Sequence, residues 1–220
     1  MLHYSKQRAH DLVKITDGSS RKCDADEEIQ AMRRAISVSD SHPLRHFFTD
    51  MVRRRFEADA GLSDPRLASY VSTLLVNFTH VDNLYWIRDS RGRRLEDVGE
   101  MLLESNPLLG ASSFDREREV RKHVGDYALF MTGLFPESLS SAQRFRQLRL
   151  DVFVDYIKAG KESYAVVSAF DQFEYKDEAP LFRKLAENFE LCVFGLNLVK
   201  QDLERFQRRY YRGLQEMIGG

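Results

Sequence analysis

His123 and Asp126 are the residues of this 220-residue chain whose types and spacing most readily suggest a chemical site. They stand three apart in VRKHVGDYALFMTGLFPE, with Tyr127 beside Asp126 and with Tyr156 and Tyr164 eight apart in VDYIKAGKESY. A histidine, a carboxylate and tyrosyl hydroxyls that share a cavity can move a proton or hold a polar ligand. On a helix His123 and Asp126 lie on neighbouring faces, so their convergence depends on what packs around them. A purely structural role competes with the chemical one. Lys122 precedes Asp126 by four residues, the spacing of an ordinary helical ion pair. Gly160 stands one turn from each tyrosine, where a missing side chain admits either a helix or a ligand.

Other constellations carry less. His42, His46 and Asp50 recur at four-residue steps, a spacing that sets ligands in a row on a helix. Pro43 follows His42 where a zinc-protease helix carries glutamate, so we expect a His46–Asp50 couple and no metal. Asp151, Asp155, Lys158 and Glu162 read as a solvated charge ladder, and no Glu-x-x-His pair of a di-metal bundle occurs. Without a glycine-rich phosphate loop or a nucleophile motif, no cofactor is expected. Arg53–Arg54–Arg55, Arg91–Gly92–Arg93–Arg94 and Arg208–Arg209 with Tyr210–Tyr211–Arg212 would bind phosphates only if they met on one surface.

The elements that must position these residues are helices. Ser41–His42–Pro43 is a start signal, and Leu44, Phe47, Phe48, Met51, Val52 and Phe56 follow at three- and four-residue steps until about Gly61. Ser63–Asp64–Pro65 restarts the pattern through Leu67, Val71, Leu74, Leu75, Phe78 and Val81. Ser90–Arg91–Gly92 marks a turn, and Leu95 to Leu102 a shorter helix closed by Asn106–Pro107. Ser112 or Ser113 can cap the helix near 114–134, whose apolar face is Val120, Val124, Tyr127, Met131 and Leu134. Gly125, Ala128 and Thr132 form a second stripe of small residues suited to close helix approach. Phe135–Pro136 ends that helix, and Ser140–Ser141 can start the next, near 141–172.

The last periodic run begins near Asp177–Pro180 and continues from Leu181 to Phe206 and beyond. Unbroken to Gly213 it would be roughly 50 Å long, at ~1.5 Å per residue. A domain of this size has a radius of gyration of about 17 Å, hence a diameter near 45 Å. The helix therefore breaks, with Gly195 the candidate position, or it projects and offers Phe206, Tyr210, Tyr211 and Leu214 as a dimer contact. We also expect an N-terminal arm over 1–24, a first helix from about Asp26 to Ser37, and one helical domain over 25–220.

The hydrophobic fraction of 43% is enough for a sizeable core. Thirty-three basic against 34 acidic residues leave a net charge of −1, which takes weight from nucleic-acid binding without excluding it. No run of 18 apolar residues and no signal-peptide pattern is present, and Cys23 and Cys192 form no spacing motif. These features lead us to expect a cytoplasmic protein without a membrane span.

The segments GDYALFMTGLFPE (125–137) and VDYIKAGKESY (154–164), followed by LFRKLAENFE, resemble a group of uncharacterised bacterial all-helical proteins. The shared pattern is GD-x-ALF-x-TG-x-FP and then D-Y-x-x-x-G-x-x-x-Y, and the likeness covers about 115–206. It implies a bacterial source and an all-α fold, and it carries no catalytic role to any residue.

Our expectation is an all-α, single-domain bundle of about seven or eight helices with a long C-terminal helix. Its function is protein–protein contact, by self-association as a homodimer or with another protein. The alternative is a small-molecule-binding protein or enzyme with a pocket lined by His123, Asp126, Tyr127, Tyr156 and Tyr164.

Overall fold

Pro43 opens the first described helix, α1 (Pro43–Ala58), as its fixed φ and missing N–H allow at a helix start. The computed structural model describes residues 43–89, 91–104, 114–141 and 146–218. The arm at 1–24, the helix expected at 26–37, Cys23, His42, Ser90, Asn106–Pro107 and the Ser112–Ser113 cap lie outside those residues. After α1 the chain reverses at Gly61, whose φ of 70° suits glycine. Asp64 then caps α2 (Pro65–Asn77), accepting the Arg66 amide at 2.9 Å and the Leu67 amide at 3.4 Å.

The periodicity at Phe78 and Val81 does not prolong α2. A turn intervenes, and Val81 opens the four-residue α3 (Val81–Leu84) with its own side chain exposed. Around Gly92, at φ 80°, Arg88 and Arg94 form an isolated antiparallel bridge, the turn expected there. Both the Arg91 and the Arg93 amides donate to the Asp89 carboxylate and close it. Then come α4 (Val98–Glu104), α5 (Phe114–Leu134), α6 (Pro136–Ser141) and α7 (Arg146–Ala169). A 3₁₀ turn (Phe173–Tyr175) leads to α8 (Ala179–Glu187) and α9 (Phe189–Ile218). The fold is all-α, with no strand among the described residues; seven helices have seven residues or more, and α3 and α6 are shorter.

α5 is the centre. It packs along α7, α9 and α4, while α7 carries α8, and α1 bridges α2 and α9. Leu129 and Phe130 are buried as well as Val120, Val124 and Ala128, so α5 is enclosed on more sides than one apolar stripe implied. The small residues permit this closeness. A Cβ added at Gly125 would stand 2.5 Å from the Tyr164 ring, and one at Gly160 would stand 2.4 Å from the Phe189 ring and 2.9 Å from Ala128. Gly160 therefore admits an aromatic ring of α9 and the face of α5.

The last run breaks at Asn188 and not at Gly195. Asn188 ends α8, its amide and its side-chain Nδ2 both donating to the Lys184 carbonyl, and its own carbonyl accepts from Cys192 in α9. Gly195 keeps its helical place because the empty Cβ position receives Phe56, whose ring would lie 2.5 Å away. A glycine used for packing leaves the i→i−4 ladder intact. Ser140–Ser141, the start expected for α7, falls in α6, and residues 142–145 that follow lie outside the described residues.

Candidate functional site

One row of α5, at Asp115, Arg118, Lys122 and Asp126, follows three- and four-residue steps and faces α2 and the 175–182 segment. Asp126 is its inner end, only 7% exposed. Its Oδ1 accepts from the Tyr70 hydroxyl at 2.5 Å and from the Tyr164 hydroxyl at 2.8 Å, and Lys122 donates to Oδ2 at 3.0 Å. A buried carboxylate needs such donors, because an unpaired charge away from water is costly. The Lys122 ammonium also sits 5.1 Å from the centre of the Tyr70 ring and 5.9 Å from that of Phe182.

The outer end of the row is a second joint. Arg118 is buried, pairs with Glu178 at 2.7 Å and lies 3.9 Å over the Tyr175 ring, while Tyr175 donates to Asp115 at 2.8 Å. The row thus fastens α5 to α2, α7 and the approach to α8.

His123 and Tyr127 occupy a different face. His123 is buried, with Nε2 3.1 Å from the Leu84 carbonyl and its ring edge-on to Phe78 and Trp86, the centroids 5.7 and 5.4 Å away. Tyr127 donates to the Glu96 carbonyl at 2.9 Å, and its ring meets those of Tyr85 and Tyr156. Of the five residues singled out in the sequence, Asp126 and Tyr164 are joined directly, and His123, Tyr127 and Tyr156 form a separate aromatic cluster. Tyr70, Arg118, Tyr85 and Trp86 complete the two groups.

The electrostatics of both groups favour neutral phenols. Burial first, then the Asp126 charge, pushes Tyr70 and Tyr164 well above the ordinary tyrosine range. Burial raises Tyr127 as well, and brings Tyr156 to about 12. At neutral pH these phenols donate hydrogen bonds and are poor bases. A groove of about 380 Å³ lies elsewhere, between α7 and the end of α8, lined by Lys158, Lys161, Glu162, Ala165, Ala186 and Glu187. Among the described residues no group of three or more His, Cys, Asp or Glu side chains could hold a metal ion. Cys192 is a buried core thiol, raised to about 12 by burial.

The other surface feature is α9. Phe189, Cys192, Leu196 and Val199, at alternating three- and four-residue steps, are each fully buried against the body. The same steps continue to Leu203, at intermediate exposure, and to Phe206, which is 64% exposed. Arg55 of α1 grips the flank of this exit, its guanidinium 2.6 and 2.7 Å from the two Asp202 oxygens. That bond holds the Asp202 carboxyl below its ordinary range. It also sets the first arginine cluster beside α9, while Arg93 and Arg94 of the second are taken by Asp89, Glu100 and Asp82.

No helix among the described residues is long and apolar enough to cross a membrane. No protein-family model, curated protein or solved structure matches the chain.

Proposed function

We propose that this protein acts through protein–protein contact, with its last helix as the contact surface and a second copy of the chain as the partner. One observation carries the reading: the seam of α9 is wholly buried from Phe189 to Val199 and then runs on at the same spacing to Phe206, which is 64% exposed. In sequence the steps extend through Tyr210, Gly213 and Met217, to the end of the helix. An apolar seam repeating every 3.5 residues is the pattern by which one helix packs against another. From Leu203 onward the helix spans about 24 Å at ~1.5 Å per residue, enough for several such layers.

The alternative, a ligand pocket or active site at His123, Asp126, Tyr127, Tyr156 and Tyr164, draws less support. The Asp126 carboxyl is met by three donors, His123, Tyr127 and Tyr164 each have a polar atom bonded within the fold, and the Tyr156 ring packs against Tyr127. A buried polar network satisfied internally fixes helices in place. A bacterial cytoplasm, our proposed setting, suits a buried free thiol.

Light scattering on the full chain and on a chain ending at Arg205 tests the proposal. The full chain should run as a dimer and the shorter one as a monomer. Two monomers would overturn it.

A further inference from the structure

Resting on that dimer, we infer that the two last helices pair antiparallel and cross between residues 211 and 212. Phe206 then lies level with the partner's Met217 and Tyr210 with the partner's Gly213, while Arg209 and the partner's Glu216 flank the seam on the same side, two residues from level.

An isologous dimer relates the two helices by a two-fold axis. With the seam of each facing the other, antiparallel registers can differ only by whole heptads, which leaves few choices. A register one heptad nearer the body sets Leu203 level with the partner's Gly213 and Val199 with the partner's Met217. Val199 is fully buried against its own body, and Asp202 would flank the seam on the same side as the partner's Glu216, carboxylate near carboxylate. A further heptad inward sets Tyr210 on the partner's Val199, which is again covered, and asks Asp202 to serve the partner's Arg209 while Arg55 already holds both of its oxygens.

The register crossing between 211 and 212 avoids all three conflicts. It draws only on positions from Phe206 outward, beyond the buried part of the helix. It sets basic Arg209, itself exposed, beside acidic Glu216 along the same flank of the seam on both sides of the axis. It also accounts for Gly213, which costs roughly 1 kcal/mol in the interior of a helix. Opposite Tyr210, an absent side chain is the space a large ring needs. A parallel pair would place Gly213 on the partner's Gly213 and would set Arg209 across the seam from the partner's Leu214, which carries no charge.

Charge reversal and cross-linking test this register in the full-length protein. By sedimentation velocity, Arg209→Glu and Glu216→Arg should each weaken the dimer by roughly tenfold, the equivalent of about 1.4 kcal/mol, and the double reversal should restore it. In a Cys23→Ser background, Phe206→Cys with Met217→Cys should oxidise to a covalent dimer, whereas Phe206→Cys alone should not. If the protein is a dimer but the double reversal fails to restore it, or the single cysteine cross-links as well as the pair, the register is overturned and the dimer stands. If the protein stays monomeric at every concentration, the dimer reading itself is overturned and the register with it.

Discussion

Replacing Tyr164 with phenylalanine isolates the joint at the centre of the fold. The ring that fills the space beside Gly125 and meets Phe182 and Phe189 is kept, and only the hydroxyl donating to Asp126 at 2.8 Å is lost. A hydrogen bond to a charged acceptor contributes about 1.5–3 kcal/mol, and Asp126 keeps its bonds from Tyr70 and Lys122, so a loss near 2 kcal/mol is expected. For a domain of this size that lowers Tm by about 4–8 °C. Asp126→Ala removes the acceptor altogether and orphans two enclosed phenols beside an ammonium; breaking a buried charged contact in this way costs about 3–5 kcal/mol. The two changes share one interaction, so they should not add. In the Asp126→Ala background, Tyr164→Phe should cost little or even stabilise, because it removes a donor left without an acceptor. Denaturant unfolding of the wild type, both single variants and the double variant closes the cycle. A neutral Tyr164→Phe, or strict additivity, would refute the idea that this carboxylate is the organising acceptor.

Four further outcomes follow from the same structure. Gly125→Ala gains helix propensity but drives a methyl onto the Tyr164 ring, so it should destabilise by about 1–3 kcal/mol in thermal unfolding. Tyr70, Tyr127 and Tyr164 are raised in the folded state, so their contribution is complete below the unfolded value near 10 and is lost as pH rises through the folded values. Unfolding followed by circular dichroism should therefore set in above about pH 10, with tyrosine ionisation appearing only as the structure is lost. Asp202 is lowered by Arg55, so its contribution is present above the unfolded value near 4 and fades as pH falls through the folded value. Asp202→Asn should cost under about 1 kcal/mol at neutral pH and flatten that acid limb, the bond being partly open to water. In a Cys23→Ser variant, Cys192 should resist a thiol reagent until denaturant is added, since its thiol is buried and raised to about 12.

Local signals in the chain foretold the helices well. Pro43, the Asp64–Pro65 cap and the Phe135–Pro136 break act through one residue's dihedrals and hydrogen bonds, so each is readable in a few letters. The small stripe at Gly125 and Ala128 was equally legible, because its spacing announces a close neighbour. That the neighbours would be Tyr164 for Gly125 and Phe189 for Gly160 was not, since both contacts join distant segments. Tyr70 shows the limit most clearly: it lies 56 residues from Asp126 and carries no local mark of the bond. Arg118 could have been found, standing four and eight residues before Lys122 and Asp126 on the same helical row. Gly195 misled for a physical reason. A glycine in a helix reads as a weak point by propensity, yet here its absent side chain makes room for Phe56, and the break falls at Asn188, whose side chain donates to the Lys184 carbonyl.

Sedimentation equilibrium on the full-length protein and on Phe206→Glu tests the proposed role of the last helix most directly. Phe206 is exposed, with its ring against Phe47 at the edge of α1, so the substitution should leave the body folded. The wild type should rise with concentration from 25.6 kDa towards twice that mass, while Phe206→Glu should remain at 25.6 kDa. A wild type that stays at 25.6 kDa throughout, or a Phe206→Glu variant that associates as readily, would contradict the proposal.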